Sequence, residues 1–172
     1  MLLIWLALIA SGLACIWDVR KGIIPNWLNY LALLAAVALT FFDSSRSLLN
    51  TFLGFSIGFS IPFLLFLVGR LGGGDVKLLA ALGAALGYPV AIDLLLWTCV
   101  FGFFVGLISI IAARRFKELS LDIIEILLVT FQQRLGSTAV PVRDMSTPLA
   151  VAIFISVCWL VFFPDYSRLI II

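Results

Sequence analysis

The sequence contains no histidine, and its three cysteines, Cys15, Cys99 and Cys158, lie far apart, each in an apolar run. Histidine triads, histidine general bases and histidine metal sites are therefore excluded. With no CxxC pair there is no zinc ribbon, and no disulfide framework is expected. Carboxylates remain, and two of them stand in unusual surroundings. Asp75 follows Gly72, Gly73 and Gly74, and Asp18 closes an apolar run just before Arg20 and Lys21. Three successive glycines weaken helix and let another chain approach closely. Two carboxyls brought together do not comfortably both ionise; one proton is shared, so one group can activate water while the other donates to a scissile carbonyl. This is aspartyl-protease chemistry, which needs neither metal nor cofactor.

The elements that must position these carboxylates are membrane spans. Of the 172 residues, 64% are apolar and only 12% charged, with a mean hydropathy of +1.25. A soluble domain carries roughly 45–50% apolar and about 25% charged residues, and a small domain cannot hide such an excess in its core. The expected fold is an all-α polytopic membrane protein whose single membrane-embedded domain covers residues 1–172, with six helices near 2–17, 27–42, 51–69, 76–88, 91–113 and 146–163. At about 20 residues per span, six spans leave no room for a separate soluble domain. The first run lacks the basic segment that precedes the core of a signal peptide, so it reads as a retained span. Between the last two spans, Arg115, Glu118, Asp122, Glu125 and Gln132 recur on one helical face, which predicts an interfacial amphipathic helix at about 118–133.

Basic residues orient this arrangement. Arg20, Lys21, Arg70, Lys77, Arg114, Arg115, Lys117, Arg134 and Arg143 fall in connections on one side; only Arg46 and Arg168 fall on the other. The richer side is expected to be cytoplasmic, with both termini outside. Asp18 and Asp75 then lie at the cytoplasmic ends of spans one and four, whereas Asp43, Asp93 and Asp165 lie on the far side.

Plainer roles exist for each of these residues. An Asp at a helix end commonly caps the helix or meets solvent. Three roles are open to Lys77: holding a substrate carboxylate, supporting charge on Asp75, or snorkelling to the interface. Asn26 could hydrogen-bond near Asp18 or cap the second span. Gly54-x3-Gly58, Gly83-x3-Gly87 and Gly102-x3-Gly106 are small-residue faces for close helix packing, with homo-oligomer formation as the lesser reading.

Two motifs resemble those of a known family. The segment Gly72-Gly73-Gly74-Asp75-Val76-Lys77-Leu78-Leu79-Ala80-Ala81-Leu82-Gly83 resembles the GxGD segment of type IV prepilin peptidases. Asp18 with Arg20 and Lys21, followed by Ile24-Pro25-Asn26, resembles the first aspartate motif of the same family. The resemblance covers essentially the whole chain, with residues 114–172 matching in outline. It implies that Asp18 and Asp75 are catalytic, with Gly72 and Gly74 supporting the site backbone and Lys77 and Asn26 as possible substrate or orientation residues. It further implies cleavage of the short basic leader of type IV prepilins or pseudopilins at the cytoplasmic face of the inner membrane, without cofactor, metal or nucleic acid. Long relatives carry a four-cysteine zinc segment and methylate the new N-terminus. That segment is not found here, so the chain resembles the short form associated with tight-adherence (Flp-type) pili or archaeal-like systems.

Presenilin and signal-peptide-peptidase types resemble the chain less, since Trp17 rather than Tyr precedes Asp18 and the late proline stands in Thr147-Pro148-Leu149-Ala150. The non-enzyme alternative is a small membrane transporter or secretion-apparatus subunit whose carboxylates bind ions or protons. It would call for charges near the midplane and repeated halves with broken helices.

Overall fold

A computed structural model describes residues 1–43, 47–69, 71–112 and 149–163. These residues form six helices, α1 (Leu2–Lys21), α2 (Asn26–Phe42), α3 (Leu48–Leu67), α4 (Gly73–Leu86), α5 (Val90–Ala112) and α6 (Leu149–Phe162). Three of them, α1, α3 and α5, are long and apolar enough to cross a membrane, and α2 and α6 are shorter apolar helices. The expected interfacial helix at 118–133 lies outside the described residues. The chain divides into two compact units, Met1–Gly102 with Pro148–Ile172, and Phe103–Thr147. The described part of the second unit is the end of α5, where Phe103, Phe104 and Ile108 are exposed.

In the first unit the core is built around α4. Every residue of α4 from Leu78 to Leu86 is buried, although the helix has only 14 residues. It packs against α1, α2, α3 and α6, and its largest interface is with α3. That interface is a seam of glycines. A Cβ placed on Gly58 would lie 2.5 Å from the Leu79 carbonyl oxygen, and a Cβ on Gly54 or Gly83 would collide with the other residue's carbonyl. Close backbone approach of this kind is what small residues allow between membrane helices. The outer faces of α1, α2 and α3 are apolar and exposed, as at Trp5, Leu34 and Phe52. Such faces suit lipid rather than water.

Several boundaries differ from the sequence reading for local reasons. The first helix is expected to end near residue 17, but α1 continues to Lys21. Its stop is Gly22, which takes the left-handed conformation (φ 65°) and donates its N–H to the Asp18 carbonyl at 2.7 Å, a glycine C-terminal stop. Arg20 and Lys21 in that last turn suit the negative end of the helix dipole. The helix α4 starts earlier than expected because Gly73 and Gly74 are helical, leaving Gly72 at the N-cap.

At the end of the bundle away from Asp18 and Asp75, polar contacts tie helices together. Thr40 on α2 and Thr51 on α3 share a hydrogen bond of 2.9 Å, and the Tyr88 N–H donates to Asn50 Oδ1 at 2.6 Å. The Trp97 ring of α5 and the Trp159 ring of α6 meet at a tilt of 46°, with centroids 5.0 Å apart, extending the packing to the last helix.

The seam predicts a strong asymmetry along α3. Gly58→Leu has no room and is expected to lose about 1–3 kcal/mol or more by overpacking, whereas Ser60→Ala, on the exposed face, stays within about 0.5 kcal/mol. Thermal unfolding of the two variants in detergent checks this. Equal melting temperatures would mean that the glycine contact contributes nothing.

Candidate active site

One end of the bundle gathers the end of α1, the start of α2, the start of α4 and the start of α6. Asp18 sits in the last turn of α1, half-buried. Its Oδ2 accepts a hydrogen bond of 3.2 Å from the Ala150 N–H, at the beginning of α6. The first N–H groups of a helix have no partner within it, and the positive end of the helix dipole favours an anion there. Asp18 thus serves as a cap supplied across 132 residues of chain.

Asp75 lies in the first turn of α4, also half-buried. Its carboxylate reaches back to the backbone N–H of Gly72. Gly72 is the N-cap and Asp75 stands three residues later, so this is the acidic half of a capping box, with the N-cap side chain missing. The glycine has a reason to be there: a Cβ at position 72 would stand 2.8 Å from Asp75 Oδ2. Asp18 closes α1 and Asp75 opens α4, and α1 packs against α4. The two carboxyls singled out in the sequence are therefore neighbours in space, each held at a helix N-terminus. Asp43 at the end of α2 and Asp93 in the first turn of α5 fall at the opposite ends of their helices and do not join them.

Gly74 allows the connection between α1 and α2 to press on α4, since a Cβ there would lie 3.1 Å from Ile24 Cβ. Lys77 and Asn26 come together: Lys77 Nζ donates to Asn26 Oδ1 at 2.9 Å and lies 5.7 Å from the centre of the Tyr30 ring. This pair links α4 to the start of α2. Among the described residues no side chain caps α2, whose N-cap is Pro25, so the capping role considered for Asn26 is not the one it plays.

Two contributions went unrecognised in the sequence. One is the Ala150 N–H, a backbone group with no side-chain signature; the only hint was Pro148 ahead of an apolar run. The other is Asn29, buried on α2, whose Nδ2 donates to the Gly74 carbonyl at 3.1 Å. A second asparagine three residues after Asn26, on the same helix face, was the available signal. Among the described residues, no three cysteine, aspartate or glutamate side chains converge as a metal site would need.

A sequence model of the type IV leader peptidase family matches residues 1–107, a stretch that contains both Asp18 and Asp75. No curated protein and no solved structure gave a match.

The cap on α6 separates the structural from the chemical work of Asp18. Asp18→Ala removes the acceptor and is expected to cost about 0.5–2 kcal/mol, the range for losing a capping side chain. Asp18→Asn keeps an oxygen for the Ala150 N–H and is expected to unfold close to wild type. Melting temperatures of both variants in detergent decide it; identical losses would show that the hydrogen bond is not what matters.

Proposed function

The chain belongs to the type IV leader peptidase family, and from that premise we propose that it is a membrane-embedded aspartic endopeptidase of the GxGD type. Its substrates are type IV prepilins or pseudopilins. It cuts the bond between the short basic leader and the hydrophobic N-terminal helix, at the cytoplasmic face of the inner membrane. The observation that carries this reading is the placement of Asp18 in the last turn of α1 and Asp75 in the first turn of α4, at the same end of two helices that pack together.

The mechanism follows from a carboxyl pair that shares a proton. The ionised member takes a proton from a water molecule, which attacks the scissile carbonyl carbon. The protonated member gives its proton to the carbonyl oxygen, and a tetrahedral intermediate forms. Collapse of that intermediate breaks the C–N bond, and the leaving amine receives a proton from the group that first acted as base. In this scheme the Gly72 and Ala150 N–H groups hold the two carboxylates in place. Lys77 and Asn26 brace the start of α4 against α2.

Six helices crossing the bilayer, with the Asp18–Asp75 end facing the cytoplasm, complete the proposal. Support comes from the uneven distribution of Arg and Lys among the connections and from the apolar outer faces of α1, α2 and α3. The substrate leader is basic, and the same end carries the carboxylates that would meet it.

Co-expression with a candidate prepilin tests the chemistry. Wild type removes the leader; Asp18→Ala, Asp18→Asn, Asp75→Ala and Asp75→Asn each lose cleavage by at least about a hundredfold while accumulating normally, as expected for members of one catalytic unit. Cleavage at the wild-type rate in the Asp75 variants would rule out an aspartyl dyad. Orientation is tested separately, in a background with Cys15, Cys99 and Cys158 replaced by serine. A membrane-impermeant maleimide is expected to label Ser47→Cys in intact cells and Ile23→Cys only after lysis. The reverse pattern would invert the topology.

A further inference from the structure

Asn29 is an amide in a place that packing alone would give to an apolar residue. It is 2% exposed, and Leu28 and Ala32 beside it on α2 belong to the core. Its Nδ2 donates to the Gly74 carbonyl at 3.1 Å, while its Oδ1 is buried with no partner among the described residues. A buried acceptor left unsatisfied is costly, whereas an apolar side chain of the same size would avoid the penalty altogether. What leucine could not do is hold the Gly74 carbonyl.

That carbonyl belongs to the peptide unit joining Gly74 to Asp75. The unit is planar, so fixing its C=O also fixes the direction of the Asp75 N–H and the placement of the Asp75 Cα. Ile24, in the connection between α1 and α2, stands where a Cβ on Gly74 would come within 3.1 Å of it. The backbone that presents Asp75 is therefore held from outside its own helix by the hydrogen bond from Asn29, with Ile24 filling the space that a side chain at position 74 would take. Gly74 has no side chain to resist reorientation, and Gly72 and Gly73 before it have none either. A turn this permissive needs external restraint.

We propose that Asn29 is a positioning residue for the peptidase: through its hydrogen bond to the Gly74 carbonyl it holds Asp75 in register with Asp18. The proposal rests on the peptidase reading for its effect on turnover, but not for its effect on the backbone. Two variants test it in the full chain, purified in detergent. Asn29→Leu keeps the volume and removes both the donor and the orphan acceptor. Asn29→Asp keeps the shape but, ionised, has no hydrogen to donate; protonated, it regains an O–H donor.

The expected results differ between readouts. In Asn29→Leu, kcat for prepilin cleavage falls about ten- to a hundredfold, the scale of a small misplacement of a catalytic group. KM stays within about twofold and the melting temperature does not fall, since only ground-state-neutral positioning is lost. In Asn29→Asp, kcat relative to wild type rises as the pH is lowered. Amide hydrogen exchange over residues 72–78 quickens in Asn29→Leu while that of α5 is unchanged. This last readout does not depend on activity, so it still decides the positioning role if wild type fails to cleave prepilin, a result that would count against the peptidase reading alone. Unchanged exchange at 72–78, wild-type kcat in both variants, or a loss of kcat that tracks a loss of melting temperature would each overturn the proposal.

Discussion

Helix α4 is short and almost wholly enclosed, and it can occupy that position only because α3 meets it backbone to backbone. At Gly54, Gly58 and Gly83 there is no space for even one methyl group. In a bilayer the apolar side chains of a helix gain little by leaving lipid for another helix, so close contact and dispersion must supply the association. The glycine seam is that contact. Once α4 is seated against α3, its other faces receive α1, α2 and α6, and the first turn of α4 falls between the end of α1 and the start of α2. Asp75 owes its neighbourhood to a packing feature that involves no polar atom of its own side chain.

A second constraint is local. A carboxylate taken out of water needs donors. The backbone offers unpaired N–H groups at helix N-termini, and both Asp18 and Asp75 use them. Asp75 uses those of its own helix, through Gly72. Asp18 sits near the C-terminal end of α1, where the dipole disfavours it, and is compensated by the start of α6. The two carboxylates thus depend on different elements: α4 holds one by a local turn, and α6 holds the other by tertiary contact. Arg20 and Lys21, one turn further on, are not the groups that receive Asp18.

The apolar excess and the periodic interruption of apolar runs made the helices legible, because a spanning helix must be long and apolar wherever it meets lipid. The limits were harder. The apolar run stops near residue 17, yet a charged residue does not end a helix; Gly22 does, by adopting φ 65°. The three glycines before Asp75 were read as weakening helix, and two of them are helical once tertiary packing restrains the turn.

The sequence by itself determined the chemistry available: with no histidine and no cysteine pair, carboxylates were what remained, and GGGD with an upstream Asp and Pro-Asn singled out two of them. It also determined that those two fall at the same end of a helical hairpin array, since successive helices alternate in direction. Only the tertiary structure decided what each residue around the two carboxylates touches. Asp18 meets the Ala150 N–H, Lys77 meets Asn26, and Asn29 meets the Gly74 carbonyl, contacts between residues from 45 to 132 positions apart. The physical reason is that two of these partners are backbone groups, present at every residue and therefore without a sequence signature. Which of them comes within reach depends on how closely the helices pack, and that was set by glycines whose contribution is the space they leave empty.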